Sequence, residues 1–198
     1  MGRNAPLIER HIMDRNIESY VKVYNNFFTP KECKKILKQL NNINFKQHTY
    51  HDNSTDTYNS HENDLKVSIE EIPMRVEMMN RLWGQIHTYV NELEFPWYTS
   101  WSGYSVIRFN KYDVNTYMKI HADHIHSLFD GVRRGIPVLS IVGLLNDDYE
   151  GGEFIMWGDT KIELKTGDLI IFPSNFLYPH LVSPITKGVR NSFVSWVW

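Results

Sequence analysis

The second half of the chain is a run of short strand-forming segments separated by turn residues. Strands are predicted over residues 104–109, 138–145, 153–157, 161–164, 169–172 and 192–198. The intervening turns contain Asn146-Asp147-Asp148, Gly151-Gly152 and Thr166-Gly167-Asp168. Short strands at this spacing, with turn residues between them, indicate a β-sandwich or a β-barrel. This pattern constrains the fold more than any other feature of the sequence.

Two helices are predicted before these strands, after a short strand at residues 21–24. The segment Thr29-Pro30-Lys31-Glu32 can open a helix, because threonine caps, proline suits the first position and Glu32 can complete a capping box. A second helix is predicted from about 73 to 93. Its apolar residues recur at helical spacing: Val76, Met79, Leu82, Trp83, Ile86, Tyr89, Val90 and Leu93.

Helices followed by a run of strands predict one α+β domain, mainly β, over residues 1–198. We expect an N-terminal arm at about 1–20, a strand with supporting helices at 21–95, and the β core at 96–198. The composition fits a folded domain, since 42% of the 198 residues are hydrophobic. The oligomeric state is left open by the sequence.

The charge and cysteine content narrow the function classes. The net charge of −2 gives no global basic field, so a nucleic-acid partner is not favoured. Cys33 is the single cysteine, which excludes an intrachain disulfide and fits a reducing compartment. We see no apolar run long enough to cross a membrane and no signal peptide at residues 1–20. A cytoplasmic protein without a membrane partner is the expectation.

Three side chains form a candidate metal site. Residues i and i+2 of a strand share a face, so His121 and Asp123 would point in one direction, and His180 could join them from a later strand. Two imidazoles and one carboxylate can bind one face of Fe(II) and leave the opposite face open. His124 and His126 compete as ligands, but neither has a carboxylate two positions further on. A hydrogen-bonded surface pair remains the alternative for His121 and Asp123 taken alone.

Arg190 and Ser192 form a candidate anion site on the last predicted strand. An arginine directed into a β-barrel requires a buried anion, because an unpaired buried charge is costly. Ser192 shares the strand face of Arg190 and can donate a hydroxyl hydrogen bond. A dicarboxylate would fit, with one end on the metal and the other on Arg190 and Ser192.

Taken in order, these features resemble the Fe(II)/2-oxoglutarate-dependent dioxygenases, specifically the prolyl 4-hydroxylase-like branch. The resemblance covers residues 20–198 and is strongest from Tyr104 onward. The matched series is Tyr112, His121-x-Asp123, Leu145-Asn146-Asp147, Gly151-Gly152-Glu153, Gly167-Asp168, Phe172-Pro173, His180, Arg190-x-Ser192 and Trp196. Each element alone is weak, whereas the ordered series is specific.

The resemblance implies a double-stranded β-helix (jelly-roll) core with the N-terminal helices packed outside. It implies Fe(II) on His121, Asp123 and His180, and 2-oxoglutarate as cosubstrate, with its far carboxylate on Arg190 and Ser192. Tyr112 and Trp196 would also belong to the cosubstrate site. The implied activity uses O2, with ascorbate as an optional reductant. It hydroxylates a peptide, protein or amino acid, prolyl substrates included, and releases succinate and CO2.

The sequence departs from the family at two places. Leu144 replaces a tyrosine that some relatives place before the Leu-Asn pair, and Asp113-Val114-Asn115-Thr116 replaces the usual glycine-rich stretch. Asp123 favours hydroxylation over halogenation, because halogenating relatives carry a small residue there. The alternatives are a nucleobase-modifying dioxygenase, a non-oxygenase cupin-like metal-binding protein and a catalytically silent interaction protein.

Two segments are candidate lids over the site, at residues 47–63 and 124–135. The first is a long polar stretch, and the second contains Arg133-Arg134-Gly135. Several aromatic residues could line an apolar mouth, although strand aromatics are more often core residues. These are Trp101, Tyr104, Tyr149, Trp157, Phe176 and Tyr178.

Overall fold

The structure, a computed structural model, describes residues 16–52, 55–94, 103–123 and 137–198. Residues 1–15 of the predicted arm therefore lie outside the described residues. The helices of the described part are a short 3-10 helix at Ile17–Tyr20, α1 at Pro30–Leu40 and α2 at Arg75–Glu92. None of them is long and apolar enough to cross a membrane.

Fifteen short strands lie in these described ranges. They are β1 (Lys22–Tyr24), β2 (Lys46–Gln47), β3 (Tyr50–Asp52), β4 (Thr57–Asn59), β5 (Lys66–Ser68), β6 (Arg108–Tyr112), β7 (Met118–His121), β8 (Leu139–Leu144), β9 (Glu150–Gly151), β10 (Phe154–Met156), β11 (Thr160–Ile162), β12 (Leu169–Pro173), β13 (His180–Val182), β14 (Ile185–Lys187) and β15 (Arg190–Val197).

Two antiparallel sheets form the body of the described β core. The larger has seven strands in the order β1-β12-β8-β15-β6-β5-β2, and the smaller has four in the order β11-β10-β13-β7. Two-stranded ladders, β14-β9 and β3-β4, complete the described pairing. The predicted α+β, mainly β architecture is confirmed, with a two-sheet jelly-roll core.

The two faces of the large sheet bury different sets of residues. Side chains alternate along each strand, so Phe193 and Val197 of β15 pack toward the helices, while Val194 and Trp196 face the smaller sheet. Helices α1 and α2 thus close a mainly apolar core on one side. The other side of the same strands faces the space between the sheets, where polar side chains can meet.

Helix α1 begins as predicted. Thr29 caps its N-terminus, Pro30 occupies the first turn, and the Thr29 and Glu32 side chains form a reciprocal capping box. The carboxylate of Glu32 also binds Arg81 of α2, so the cap of one helix is joined to the side of the other. Cys33, Ile36 and Leu40 are the buried residues of α1.

Helix α2 is shorter than the predicted 73–93 and buries a slightly rotated stripe. Its buried residues are Met78, Leu82, Ile86 and Tyr89. Val76 and Trp83 were expected on the apolar face but are 72% and 48% exposed. The reason is that residues at i, i+4, i+8 and i+11 from Met78 follow the face that meets the sheet, and this face excludes both residues.

Other boundaries also differ from expectation. The strand predicted at 104–109 is observed instead as β6 (Arg108–Tyr112). The reason is that Tyr104 packs against α2, where its hydroxyl donates to the Met79 carbonyl at 2.9 Å. The polar stretch at 47–63 is not wholly irregular, since it contains the β3-β4 hairpin. The role of this polar stretch as a lid stays a prediction. The assignment of residues 1–198 to a single domain also stays a prediction. The second lid segment, 124–135, lies outside the described residues.

Gly143 of β8 should be required for the packing of β15. A Cβ built at this position would lie 2.1 Å from the Phe193 ring. We therefore expect Gly143→Ala to lower the free energy of unfolding by about 1–3 kcal/mol, measured by urea denaturation. Gly84, in α2, is a matched control because a Cβ there meets nothing within 4 Å. Gly84→Ala should raise stability by about 0.5–1 kcal/mol, and equal effects of the two variants would contradict this packing argument.

Candidate active site

His121, Asp123 and His180 come together at one edge of the smaller sheet. His121 ends β7 and His180 begins β13, and the two residues are direct partners in the antiparallel β13-β7 pairing. Their Nε2 atoms lie 3.3 Å and 3.7 Å from Oδ1 of Asp123, respectively. The three ligand atoms are all within 4.8 Å of one another, which suits a single metal ion. The predicted triad is therefore assembled.

The orientation of both imidazoles is fixed by backbone carbonyls. Nδ1 of His121 lies 2.7 Å from the carbonyl oxygen of Lys119, and Nδ1 of His180 lies 3.2 Å from that of Tyr178. A carbonyl can only accept, so each Nδ1 carries the proton. Each Nε2 faces Asp123, and in the neutral ring its lone pair is available to a metal.

His180 is held in an aromatic pocket. Phe154 stacks on its ring at a centroid distance of 5.3 Å, and Phe172 meets it edge-on at 5.0 Å. Both phenylalanines belong to the core between the sheets. Burial in this apolar setting lowers the pKa of His180 despite the nearby charge of Asp123. His180 is thereby kept in the neutral form that binds metal.

Asp123 has the opposite tendency. Burial alone would raise the pKa of Asp123, but the imidazoles of His180 and His121, whose protonated forms attract its negative charge, outweigh burial and hold this pKa below its usual range. Asp123 is therefore the carboxylate of the site, ionised at neutral pH. His121 is the more exposed member of the triad, so the open side of the site lies toward β7.

Arg190 is the largest fully buried side chain of the described residues, with 1% of its surface exposed. Its Nη1 donates to Ser192 Oγ at 3.0 Å, and its guanidinium lies 5.1 Å from the centroid of the Tyr112 ring. Its Nε atom is buried without a hydrogen-bond partner, and no described carboxylate forms an ion pair with it. A buried cation of this kind is matched to an anionic ligand.

Two elements of the ordered series hold Arg190 in place. Asn146 accepts from Asn191 N at 2.7 Å and donates to the Val189 carbonyl at 2.7 Å, so it binds the residues on both sides of Arg190. Gly152, with φ of +66°, gives room to the stem of Arg190, since a Cβ there would lie 3.2 Å from Arg190 Cδ. These residues act on the site through the arginine.

The other predicted cosubstrate residues lie on the same inner face. Tyr112 pairs with Arg190, and Ser192 pairs with Asn110, across the β15-β6 ladder. Tyr112 is 3% exposed, and burial raises the pKa of its hydroxyl. Trp196 lies further along β15, where its indole contacts Arg108 and not Arg190. The structure thus groups Tyr112, Arg190 and Ser192, and separates Trp196 from them.

The sequence pattern missed three residues around the site. Arg108 and Asn110 line the same cavity as the triad, because they share the inner face of β6 with Tyr112. The alternation 108-110-112 is the signal that could have revealed them. His48 lies within the polar stretch at 47–63, and burial together with the nearby charge of Arg108 lowers its pKa to about 4. Its Nδ1 is buried without a described partner.

The other histidines and aromatic residues named from the sequence have different outcomes. His124, His126 and Trp101 lie outside the described residues. Tyr104 packs on the helical side of the large sheet, as expected of a core aromatic and not of a residue lining the mouth. Tyr178 is also buried, with its hydroxyl donating to the Ile17 carbonyl, and Phe176 is 77% exposed.

The family comparison agrees with this geometry. Residues 107–198 match the family model described as the 2OG-Fe(II) oxygenase superfamily. The match contains the whole triad as well as Arg190, Ser192 and Trp196.

Curated relatives match a similar length of sequence. A PKHD-type hydroxylase of Xylella fastidiosa (strain M12) is 36% identical over 107 residues, covering 46% of this chain and 43% of the relative. A PKHD-type hydroxylase of Idiomarina loihiensis is 35% identical over 94 residues, covering 46% of this chain and 41% of the relative. The match thus spans less than half the length of these relatives.

Solved structures share the fold over most of the chain. A prolyl hydroxylase from Trichoplax adhaerens, in complex with a hypoxia inducible factor peptide, matches with a TM-score of 0.67 at 17% identity and covers 90% of this chain and 83% of its own. A Pseudomonas putida prolyl-4-hydroxylase matches with a TM-score of 0.61 at 16% identity, covering 90% and 91%. At such low identity these likenesses establish the jelly-roll fold.

His48 should make stability depend on pH. Its pKa of about 4 in the folded protein lies below the ordinary value of about 6.5 in an unfolded chain. The unfolded chain therefore binds a proton at His48 that the folded protein does not bind. As a result, the free energy of unfolding falls as the pH drops from 6.5 to 4. Urea denaturation of the wild type and His48→Gln at pH 7.5 and 4.5 measures this fall in the free energy of unfolding. We expect a smaller fall in the variant, and equal falls would contradict the lowered pKa of His48.

Arg190 should cost the ligand-free protein stability. Replacing a buried charge with an apolar side chain of similar volume removes its desolvation penalty. We expect Arg190→Met to raise the free energy of unfolding by about 1 kcal/mol or more in the absence of metal and small molecules. Urea denaturation measures it. A fall in stability would indicate that Arg190 has a structural role that does not depend on a ligand.

Proposed function

We propose that the chain is an Fe(II)- and 2-oxoglutarate-dependent hydroxylase of the prolyl 4-hydroxylase-like branch, because residues 107–198 match the 2OG-Fe(II) oxygenase superfamily model. The observation that carries this proposal is the pair formed by an assembled His-Asp-His triad and a buried arginine in one cavity. A metal-binding triad alone would also suit a cupin-like metal protein. The unpartnered guanidinium adds the requirement for a carboxylate ligand.

His121, Asp123 and His180 are the proposed Fe(II) ligands. Their chemistry fits, because two neutral imidazoles and one carboxylate suit a divalent iron and occupy one face of its coordination sphere. The carbonyls of Lys119 and Tyr178 hold both rings in the metal-binding tautomer before the metal arrives. Little rearrangement is then needed on binding.

Arg190, Ser192 and Tyr112 are the proposed cosubstrate residues. A guanidinium can form two parallel hydrogen bonds with a carboxylate, and the Nε of Arg190 has its donor still to be satisfied. The Ser192 hydroxyl is within reach of the same ligand, and Tyr112 covers one face of the guanidinium. Trp196 is proposed only as a support of the cavity, because its ring covers one face of Arg108.

Bound Fe(II), 2-oxoglutarate and O2 supply the oxidising power, with succinate and CO2 as products and ascorbate as an optional reductant. The contribution of the chain is positioning and shielding. Asp123 would hold the metal with its carboxylate, which would leave no room there for a halide and would favour hydroxylation. The apolar residues Val142, Phe154 and Val182 line the cavity and exclude water from the reacting centre.

A peptide or protein is the proposed substrate class. Relatives of the same fold include a prolyl hydroxylase in complex with a peptide fragment. Nucleic acid is disfavoured by the net charge of −2. We also propose that the protein acts in the cytoplasm, where its buried Cys33 stays reduced and no disulfide is needed.

An anaerobic titration tests this proposal directly. Adding Fe(II) and then 2-oxoglutarate should produce the weak visible charge-transfer band of the chelated keto acid. Asp123→Ala and His180→Ala should lose the band, because a ligand is missing. Asp159→Asn is the matched control, since Asp159 is an exposed carboxylate in the turn between β10 and β11 and does not line the cavity. It should behave like the wild type.

The same titration separates the metal site from the cosubstrate site. Arg190→Met should bind the metal but need at least about tenfold more 2-oxoglutarate to develop the band, because a charge-assisted bidentate contact is lost. The absence of both band and succinate in the folded wild type under every condition would overturn the proposed function. Tight Zn(II) or Mn(II) binding without oxygen-coupled turnover would favour the cupin-like alternative.

A further inference from the structure

Arg108 is a second guanidinium in the active-site cavity. It lies on β6 and lines the same space as the triad and Arg190. Arg108 and Arg190 are the two cationic side chains among the described residues of that lining. Arg190 meets the requirement for a cosubstrate anchor, so Arg108 needs an explanation of its own.

The position of Arg108 is well defined. Its guanidinium lies 4.8 Å from the centroid of the Trp196 ring, which covers one of its faces. Its Nε donates to Asn110 Oδ1 at 3.1 Å. Stacking and this hydrogen bond fix the plane of the group and leave the two Nη nitrogens as the outward donors. No described carboxylate lies within ion-pair distance of them.

Arg108 and Arg190 stand at opposite ends of one strand face. Arg190 pairs with Tyr112 and Arg108 pairs with Val194, so the two arginines are four residues apart along the β15-β6 ladder. This corresponds to about 14 Å between their levels in the sheet. A 2-oxoglutarate that binds metal by its keto acid end has one free carboxylate. Arg190 takes this group, so Arg108 remains available for another anion.

Charge balance supports the same conclusion. With neutral imidazoles, the charges of Asp123, Arg190, a divalent metal and the 2-oxoglutarate dianion cancel. Arg108 then leaves one surplus positive charge in a partly desolvated cavity, which is unfavourable unless an anion compensates it. The remaining component of the reaction is the substrate.

We propose, on the basis of the function proposed above, that Arg108 binds a carboxylate of the substrate and thereby selects peptides with an acidic residue flanking the hydroxylated one. The two Nη groups match the two oxygens of a carboxylate in a bidentate contact. Asn110 and Trp196 are positioning residues, because they act by holding the guanidinium.

A peptide carboxylate suits this place better than a nucleic-acid phosphate. A phosphate backbone is bound by several cations in series, and it is favoured by an overall basic field. Arg108 is instead a single cation on the inner face of a sheet, in a chain of net charge −2. One fixed guanidinium suits one acidic side chain that enters beside the metal.

Affinity selection from a peptide library tests the proposal. Acetylated and amidated random heptapeptides are passed over immobilised protein that carries Mn(II) and 2-oxoglutarate, and the retained peptides are sequenced by mass spectrometry. The wild type should enrich Asp and Glu over Asn and Gln at one position by about tenfold, the ratio expected of one charge-assisted contact. Arg108→Gln should lose this enrichment, and Arg108→Lys should keep part of it.

Lys111→Gln is the matched control. Lys111 lies on the same strand but on its outer face, where it is 3.7 Å from Asp113, so the variant removes an equal charge outside the cavity. It should retain the acidic enrichment in full. Thermal unfolding of each variant establishes that the Arg108 variants are folded, and Arg108→Lys keeps the test valid if Arg108→Gln does not fold.

Several outcomes would overturn the inference. These are no acidic enrichment by the wild type, the same enrichment in Arg108→Gln, and retention of an oligothymidine that depends on Arg108. Loss of 2-oxoglutarate binding in Arg108→Gln, together with retained 2-oxoglutarate binding in Arg190→Met, would make Arg108 the cosubstrate anchor instead.

The anaerobic charge-transfer band is measured separately and tests the proposed function. A wild type with the band but without acidic enrichment disproves the substrate preference alone, whereas a wild type without the band disproves the oxygenase.

Discussion

The alternation of side chains along β15 is the constraint on which the rest of the structure depends. This central strand pairs with β8 on one side and with β6 on the other, so each of its residues has a fixed face. Phe193 and Val197 are buried against the helices, while Arg190 and Ser192 face the cavity. A shift of one residue would place the arginine in the apolar core. The helix packing and the register of the active site therefore stabilise each other.

The parts of the site that could be predicted from sequence are those set by short-range geometry and by ligand chemistry. His121 and Asp123 are two residues apart, and an arginine that shares a strand face with a serine two residues on, in an otherwise apolar strand, requires an anion. Arg108 was missed because the predicted strand ended at residue 109 and so did not join Arg108 to Tyr112, whereas β6 runs over 108–112. Local β-propensity does not determine where a strand ends when Tyr104 instead binds a helix. The exposed Val76 and Trp83 were misread for a related reason, since helical spacing gives a stripe but its direction depends on the partner sheet.

The ordered sequence series acquires a physical meaning from the contacts. Asn146 binds the backbone on both sides of Arg190, and Gly152 makes room for the arginine stem. At the Gly167-Asp168 turn, Gly167 accepts from Phe28 N at 3.0 Å and the Asp168 carboxylate accepts from Asn26 N at 3.0 Å. This turn fastens the segment before α1 to the large sheet. Residues of the series outside the metal site thus supply the supports that keep its side chains in position.

The place of β15 in the large sheet also has a consequence for biosynthesis. The strand inserts between β8 and β6, and both of these precede it in the chain. A nascent polypeptide therefore carries His121, Asp123 and His180 before it has the strand that joins the two halves of the sheet. The triad and Arg190 can be brought into one cavity only after residues 190–197 have left the ribosome. The order of synthesis thus completes the Arg190 side of the cavity after all three residues of the triad have been made.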